Sequence, residues 1–558
     1  MKKIDRLCLV LIAISAAGLF ACGGGQAPAT PPSAGDAPSP APAGQVMAGA
    51  APARASSAPS FELRQVAYIK ASNAGAGDQF GVGGTLLGNG VALSNDGSTL
   101  AVGASFESSG AVGIHGDQSD DSVYGAGAVY VFTRNGETWA QQAYVKASNP
   151  GLTDNFGYAV ALSEDGDTMV VSAYFEASAA TGVNANQDDD SIPQAGAVYV
   201  FTRDDETWSQ QAYLKASNTG EAAVGDELGD GDQFGFAIAL SEDGGRLAVS
   251  AIAEDSGAAG MDGDQSDNSA VSAGAVYLFE RDGDSWTQRS YLKPSNPSAG
   301  DLFGYSLAFT ADGDTLVVGS FDEDGSVSST SEEPNDEASG TGAAYVFEHE
   351  QGTWSQTAYL KASNAERNDS YGVTVAISDD GSTLAITSLD EDSMTTGINS
   401  TAADDYESDT STGAVYVLVN DGSGWTEQAY IKASNTGVND WFGSRIALSG
   451  DGDTLVGSAQ LEDSAAQGIG GDQADDSAEE AGAVYLLRRS GETWTQEAYI
   501  KGSNTGAYDE FGSSMAVSRD GSLIAIGARG EDSAAKGIGG DQTDNTAYES
   551  GAVYIFTR

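Results

Sequence analysis

The chain has 558 residues, with 81 acidic against 25 basic side chains and a formal net charge of -56. A field of that sign excludes nucleic acid and anionic lipid surfaces as electrostatic partners and favours cations and basic surfaces. Its two cysteines, Cys8 and Cys22, both fall near the start, so the rest of the chain has neither a disulfide nor thiol chemistry.

Residues 1–21 read as an export signal: Lys2, Lys3 and Arg6 precede an apolar run from Leu7 to Phe20 that is short for a membrane span. The run ends at Leu19-Phe20-Ala21-Cys22, which resembles a bacterial lipobox, with Cys22 the lipidated residue. Ordinary cleavage nearby is the plainer alternative. Gly23 is not the aspartate that retains enteric-type lipoproteins at the inner membrane, so outer-membrane anchoring is expected. Residues 22–60 are rich in Ala, Pro, Gly and Ser; they bury too little to offset their ordering entropy and form a tether.

From residue 61 onward one unit repeats. The tyrosine of an AYIKASN-like phrase returns at Tyr68, Tyr144, Tyr213, Tyr291, Tyr359, Tyr430 and Tyr499, a spacing of 68 to 78 residues that suits a four-stranded sheet with one long connection. In the copy from Gln233 to Asn296, an apolar run over 234–241 (strand A) turns at Asp243-Gly244 into strand B, 246–251. A long Asp, Gly and Ser-rich stretch leads to strand C, 274–280, and a short turn at Asp282-Gly283 to the more polar strand D, 286–293. Strand A is expected again at 156–163 and, with an insertion from Gly83 to Asn89, near 80–94. The domain starts on a lone D-type strand, 61–70, and stops at Arg558 just after a C-type strand. Seven complete blades exist only if the first strand completes the last blade. The expected fold is therefore all-β: a seven-bladed β-propeller of four-stranded antiparallel blades over 61–558, closed by its N-terminal strand.

The phrases Asp154-Asn155-Phe156-Gly157, Leu316-Val317-Val318-Gly319 and Gly127-Ala128-Val129-Tyr130 resemble the FG-GAP repeat of integrin-α-like propellers and many bacterial surface proteins. The resemblance spans 61–558 and implies the propeller fold; it does not imply an activity, because propellers host binding, scaffolding and catalysis alike. Family calcium sites use a D-x-D-x-D-G type loop between strands A and B. Here that turn reads Ser163-Glu164-Asp165-Gly166, too few oxygens for calcium, so those ligands do not carry over.

Antiparallel strands send A–B and C–D turns to one face and B–C and D–A loops to the other. The seven B–C loops, 105–125, 174–195, 254–273, 321–341, 389–412, 462–480 and 531–549, hold 39 of the 80 acidic residues beyond residue 21, with Lys536 their one cation. A phrase recurs there: Glu254-Asp255 with Asp264 and Asp267, Glu462-Asp463 with Asp472 and Asp475, and Glu531-Asp532 with Asp541 and Asp544. The first copy keeps Asp117 and Asp120 but only Glu107 upstream. Alternating oxygen-bearing residues beside glycine are what a divalent cation such as calcium requires. A solvated acidic surface with Asp closing turns explains them equally well, and both readings stand. The tryptophans that open the D strands (among them Trp139, Trp208 and Trp286) are expected to pack between blades. The D-strand lysines, Lys70 to Lys501, are expected to guard the outer edge against pairing. The aspartates before each aromatic-Gly step, such as Asp154, are expected to cap that turn.

Only two histidines exist, His115 and His349, placed by strand parity on opposite faces, and no nucleophile-elbow, zinc-protease or phosphate-loop phrase occurs. The expectation is a non-catalytic envelope lipoprotein of adhesion type; a carboxylate-pair hydrolase is the lesser alternative, open only because acids are abundant. Its acidic face would hold divalent cations and a protein or glycan partner, with a metal-independent assembly scaffold as the alternative and a monomeric ring expected in either case.

Overall fold

The computed structural model describes residues 62–82, 88–220, 231–325, 338–400 and 410–558. The segments read above as signal and tether, with Cys22, and also Phe61, residues 83–87 of the first-blade insertion and the divergent loop segments at Ser331 and Ala403 lie outside the described residues. The remainder folds into seven antiparallel sheets of four strands, ordered A-B-C-D from the ring axis outward. Blade seven is completed from the far end of the chain. Phe511–Val517, Leu523–Ala528 and Ala552–Thr557 are joined by Arg64–Ile69, with Tyr68 opposite Tyr554. Closure by the leading strand is thus as the repeat phase required.

Strand B of blade one, Thr99–Ala104, is buried at every position. That is why B strands read as continuous apolar runs: both faces press on neighbouring blades. Strand A keeps close to its expected length in blade three, Phe234–Leu240, but covers only Val160–Leu162 in blade two instead of 156–163. At the Phe-Gly step Asn155 and Gly157 take φ of 58° and 95°, as Gln233 and Gly235 do at 59° and 96°, and in blade three the ladder shifts register there, between Phe234 and Ile238.

The core lies between blades. Leu100, Tyr130, Phe132 and Trp139 of blade one pack with Leu523, Val553 and Ile555 of blade seven. The tryptophans therefore sit at the interfaces, as expected. Trp208, Trp286 and Trp494 donate Nε1 to a glutamine of the preceding D strand, as in Trp208 to Gln142 at 2.9 Å. Trp139 Nε1 makes no such bond among the described residues, because the strand before it is Arg64–Ile69, which carries Val66 where those strands carry glutamine. Blades approach so closely that a Cβ on Gly127 would stand 2.0 Å from the Phe156 carbonyl oxygen. The same holds from blade seven to blade one, where Gly551 meets Phe80 O at 2.2 Å.

A second closure surrounds the axis at the A–B face. The residue after the turn serine (Thr310 in blade four) donates its N–H to the equivalent carbonyl of the next blade: Asn95 to Glu164, Glu164 to Glu242, Glu242 to Ala311, Ala311 to Asp379, Asp379 to Gly450, Gly450 to Arg519, and Arg519 back to Asn95. The donor–acceptor distances run from 2.7 to 3.2 Å and the circle has no gap. Arg519 then holds three carboxylates from other blades: Asp379 at 2.6 Å, Glu242 at 3.2 Å and Glu164 at 3.3 Å.

A chain that begins at residue 72 would lack the fourth strand of blade seven. It is expected to unfold at a lower temperature and to self-associate through the bared edge of Ala552–Thr557, as read by calorimetry and light scattering. Unchanged melting of a monodisperse monomer would contradict the closure.

Candidate functional site

The site is built from the AYIKASN phrase upward. The Lys at the end of each D strand does not stand at an exposed edge, as the sequence suggested. All seven are buried, 0–4% exposed, and their ammonium groups reach the first glutamate of a B–C loop. Lys146 Nζ lies 2.8 Å from Glu107 Oε2, Lys293 2.9 Å from Glu254, Lys501 2.7 Å from Glu462, and Lys70 2.6 Å from Glu531. The lysine lies one residue beyond the paired strand, where the chain turns inward under the loop. That is the physical reason the edge-guard expectation fails.

The same glutamate collects three further donors. The D-strand tyrosine gives its hydroxyl, Tyr499 to Glu462 at 2.7 Å. The asparagine of the preceding blade gives Nδ2, Asn435 to Glu462 at 2.9 Å. A backbone N–H two residues on completes the set, Ser464 to Glu462 at 3.1 Å. The asparagine oxygen accepts in turn from a C-strand tyrosine, Tyr485 to Asn435 at 2.7 Å. The constellation recurs in every blade, and from blade seven to blade one through Asn73 and Glu107 at 3.0 Å. Burial lowers the pKa of each lysine, opposed by the paired glutamate. Burial likewise raises the pKa of each D-strand tyrosine, and the nearby glutamate adds to the rise.

This geometry decides where the nominated metal ligands stand. Glu254, Glu462 and Glu531 are buried in ion pairs and face inward, so they are corrected from loop ligands to interior anchors. Asp255, Asp463 and Asp532 clamp their own loops, accepting from the N–H of Ser272, Glu480 and Glu549 at 2.8, 2.9 and 2.8 Å. Asp264, Asp472 and Asp541 lie exposed at loop tips, each accepting an N–H two residues ahead. Asp475 and Asp544 close a second turn in the same way, and Asp267 stands half-buried at that register. Among the described residues no three or more His, Cys, Asp or Glu side chains come together in a group able to hold a metal ion.

The recurrence of the phrase has a structural cause that sequence reasoning missed. The glutamine after each tip aspartate accepts from a serine of the preceding blade's KASN-type turn, Ser217 to Gln265 at 2.6 Å and Ser434 to Gln473 at 2.5 Å. The asparagine beside that serine donates to the same glutamine's carbonyl. Gly-Asp-Gln is thus a docking phrase between blades. Its signal was the co-recurrence of Ser-Asn and Gly-Asp-Gln at fixed separation.

The aspartates before the aromatic-Gly step cap their turns as expected, Asp154 Oδ2 accepting from Gly151 N at 2.6 Å and Asp440 from Gly437 at 2.8 Å. Burial, joined by nearby carboxylates, pushes Asp78 up to about 6. The same cause takes Asp154, Asp440 and Asp509 to about 7, and Asp232 and Asp369 to about 8. Of the two histidines, His349 lies 3.0 Å from Asp314 on the turn side, and His115 sits in the first B–C loop.

Four segments match the FG-GAP repeat, at residues 139–201, 286–347, 425–487 and 494–556. The chain is a seven-bladed propeller that carries FG-GAP repeats. Each match begins at the tryptophan of one D strand and ends in the C strand of the next blade, so the sequence repeat is offset from the blade by one strand. That offset is the one that closes the ring. No curated protein matches the chain. Among solved structures it is similar to a protein described as a putative 6-phosphogluconolactonase of Bacteroides uniformis, at 11% identity and TM-score 0.42, covering 74% of this chain and 84% of the other. It is also similar to the periplasmic gluconolactonase of Pseudomonas aeruginosa, at 14% identity and TM-score 0.44, covering 80% and 98%. The expectation that the chain is not an enzyme is corrected on this finding, since structures named as lactonases are among those it resembles. The likeness concerns the fold and assigns no reaction here.

Two measurements test the interior network. Lys501→Met leaves Glu462 buried without its cation and should cost about 3–5 kcal/mol in denaturant unfolding, more than the Lys501→Met/Glu462→Leu pair costs. The raised aspartates give a sign as well. A carboxyl with a higher pKa folded than unfolded binds its proton more tightly in the native state. It therefore adds stability at low pH that is lost as pH rises through the folded values of about 6 to 8. The melting temperature should rise on going from about pH 8.5 to about pH 5.5, and Asp232→Asn with Asp369→Asn should flatten that slope.

Proposed function

We propose that this chain is an exported lipoprotein, tethered through Cys22 to the outer membrane, whose propeller presents its B–C loop face to a basic partner protein. The observation that carries the reading is the separation of charge within the repeat. The lysines are buried under the loops, while Asp117, Asp264, Asp472 and Asp541 stand exposed at equivalent tips. Apolar footing lies on the same face. Each B–C loop end is stitched to the next D–A segment, as in Thr153 N to Tyr124 O at 2.9 Å and Gly77 N to Tyr548 O at 2.8 Å. Along that seam Tyr124, Leu152, Tyr508 and Tyr548 are 61%, 70%, 51% and 68% exposed, all within blades six, seven, one and two. Aromatic anchors amid acids fit a partner that offers arginine or lysine with apolar neighbours.

With its glutamates tied to lysines, the face has a natural role that needs no metal, and any divalent ion is left to the tip aspartates. Calcium titration by calorimetry separates the two versions: heat with a rise in melting temperature supports a cation-dependent face, and no response at millimolar calcium removes it.

Cys22→Ser should move the protein from the membrane to the soluble fraction. A photo-crosslinker at position 548 should trap a partner in intact cells, and Asp472→Asn with Asp541→Asn should weaken that capture and its salt dependence. Export without any adduct would overturn the reading.

A further inference from the structure

The seven repeats agree where blades meet and diverge where they border the axis. On the loop side, two positions of each blade face the axis: the residue after the Phe-Gly step and the residue after strand B. In blades two and four both are aromatic, while blade three has Phe236 at the first and Ile252 at the second, and the five rings form one continuous arc. Tyr174 and Tyr158 have ring centroids 3.9 Å apart, Tyr158 and Phe236 5.6 Å, Phe236 and Tyr305 5.2 Å, and Tyr305 and Phe321 4.2 Å. These rings come from three different blades, which places both positions on the axis side.

At the same register blades six and seven carry polar side chains, Ser444, Gln460, Ser513 and Arg529. Arg529 binds Glu510 Oε1 at 2.5 Å and holds Ser513 Oγ through its own N–H at 3.2 Å. Two acceptors of this wall have no hydrogen-bond partner among the described residues: Glu510 Oε2, in a residue 6% exposed, and Gln460 Oε1, in a residue 1% exposed. An orphaned buried acceptor is costly, so a donor is called for at this wall. Arg445 reaches across from blade six to donate to Gly88 O of blade one at 3.3 Å. The other end of the axis is stitched shut by the circle of backbone bonds and by Arg519, so a ligand approaches from the loop face.

We propose that the loop-side mouth of the axis binds a pyranose sugar. A sugar ring has an apolar C–H face and an edge of hydroxyl donors, which matches an aromatic arc facing orphaned carboxylate and amide oxygens. A free ammonium is disfavoured there, because Arg529 already pairs with the Glu510 carboxylate and Arg445 lies beside Tyr158 and Tyr305 of the arc. A carboxylated sugar gains from the same two guanidinium groups. Glu510 adjoins the loop rim, its N–H bonded to Glu480 O at 3.0 Å, but the proposal does not rest on the partner-binding reading.

The test uses the full-length protein with glucose, galactose, glucuronic acid and galacturonic acid and their disaccharides as probes, followed by saturation-transfer NMR and calorimetry. Saturation transfer to at least one sugar is expected, with the acids ahead of the neutral sugars if the guanidinium groups contribute. Glu510→Gln, which is isosteric, and Tyr305→Leu, which stays apolar but removes the ring, should each weaken that sugar by about 10-fold. Arg519→Gln, at the sealed end, should leave it unchanged. Thermal melting confirms that each variant is folded. No saturation transfer to any probe at about 10 mM, a concentration at which even millimolar affinity registers, overturns the proposal, as does binding that folded Glu510→Gln and Tyr305→Leu leave intact.

Discussion

A single buried carboxylate per blade, the first glutamate of the B–C loop, organises this ring. It gathers a lysine and a tyrosine from its own D strand, an asparagine from the preceding blade and a backbone N–H from its own loop. A charge removed from water is tolerable only with its partners in place. The arrangement therefore fixes three things at once: where strand D ends, how the long loop leaves strand B, and how one blade is set against the next. Because Asn73 and Glu107 repeat the contact between blade seven and blade one, the last interface is built like the other six.

Around that network the two faces have different duties. The turn face is a closure device, with a hydrogen-bonded circle of backbone groups and one arginine gripping three carboxylates. The loop face is free to vary, since its glutamates and docking glutamines hold the loops from below while the tips extend into solvent. Repetition is strict where blades touch and relaxed at the rim and the axis mouth. A propeller can in this way keep one fold while changing what it binds.

The fold was legible in the sequence because each blade restates it. The Trp-initiated D strand, the Gly-Ala-Val-Tyr strand and the Asp-x-Phe-Gly step all recur, and the phase of the ends dictates how the ring closes. The site was legible only in part. Acidic loops could be counted, and topology placed them on one face. Composition could not distinguish Glu254, sealed against Lys293, from Asp264, bare at a tip, because both are acids in one short phrase. The lysines misled for a related reason: strand periodicity ends one residue before them, and beyond that point contacts between blades set the course of the chain.

By itself the sequence determined the number of blades, their strand order and the rim on which the negative charge collects, since these derive from local periodicity and chain connectivity. Only the tertiary structure decided which carboxylates are interior and which face water, that the axis is stitched at one end, and that aromatic and polar side chains oppose each other at the other. Those features depend on residues from different blades meeting across the ring, at separations that no local pattern encodes.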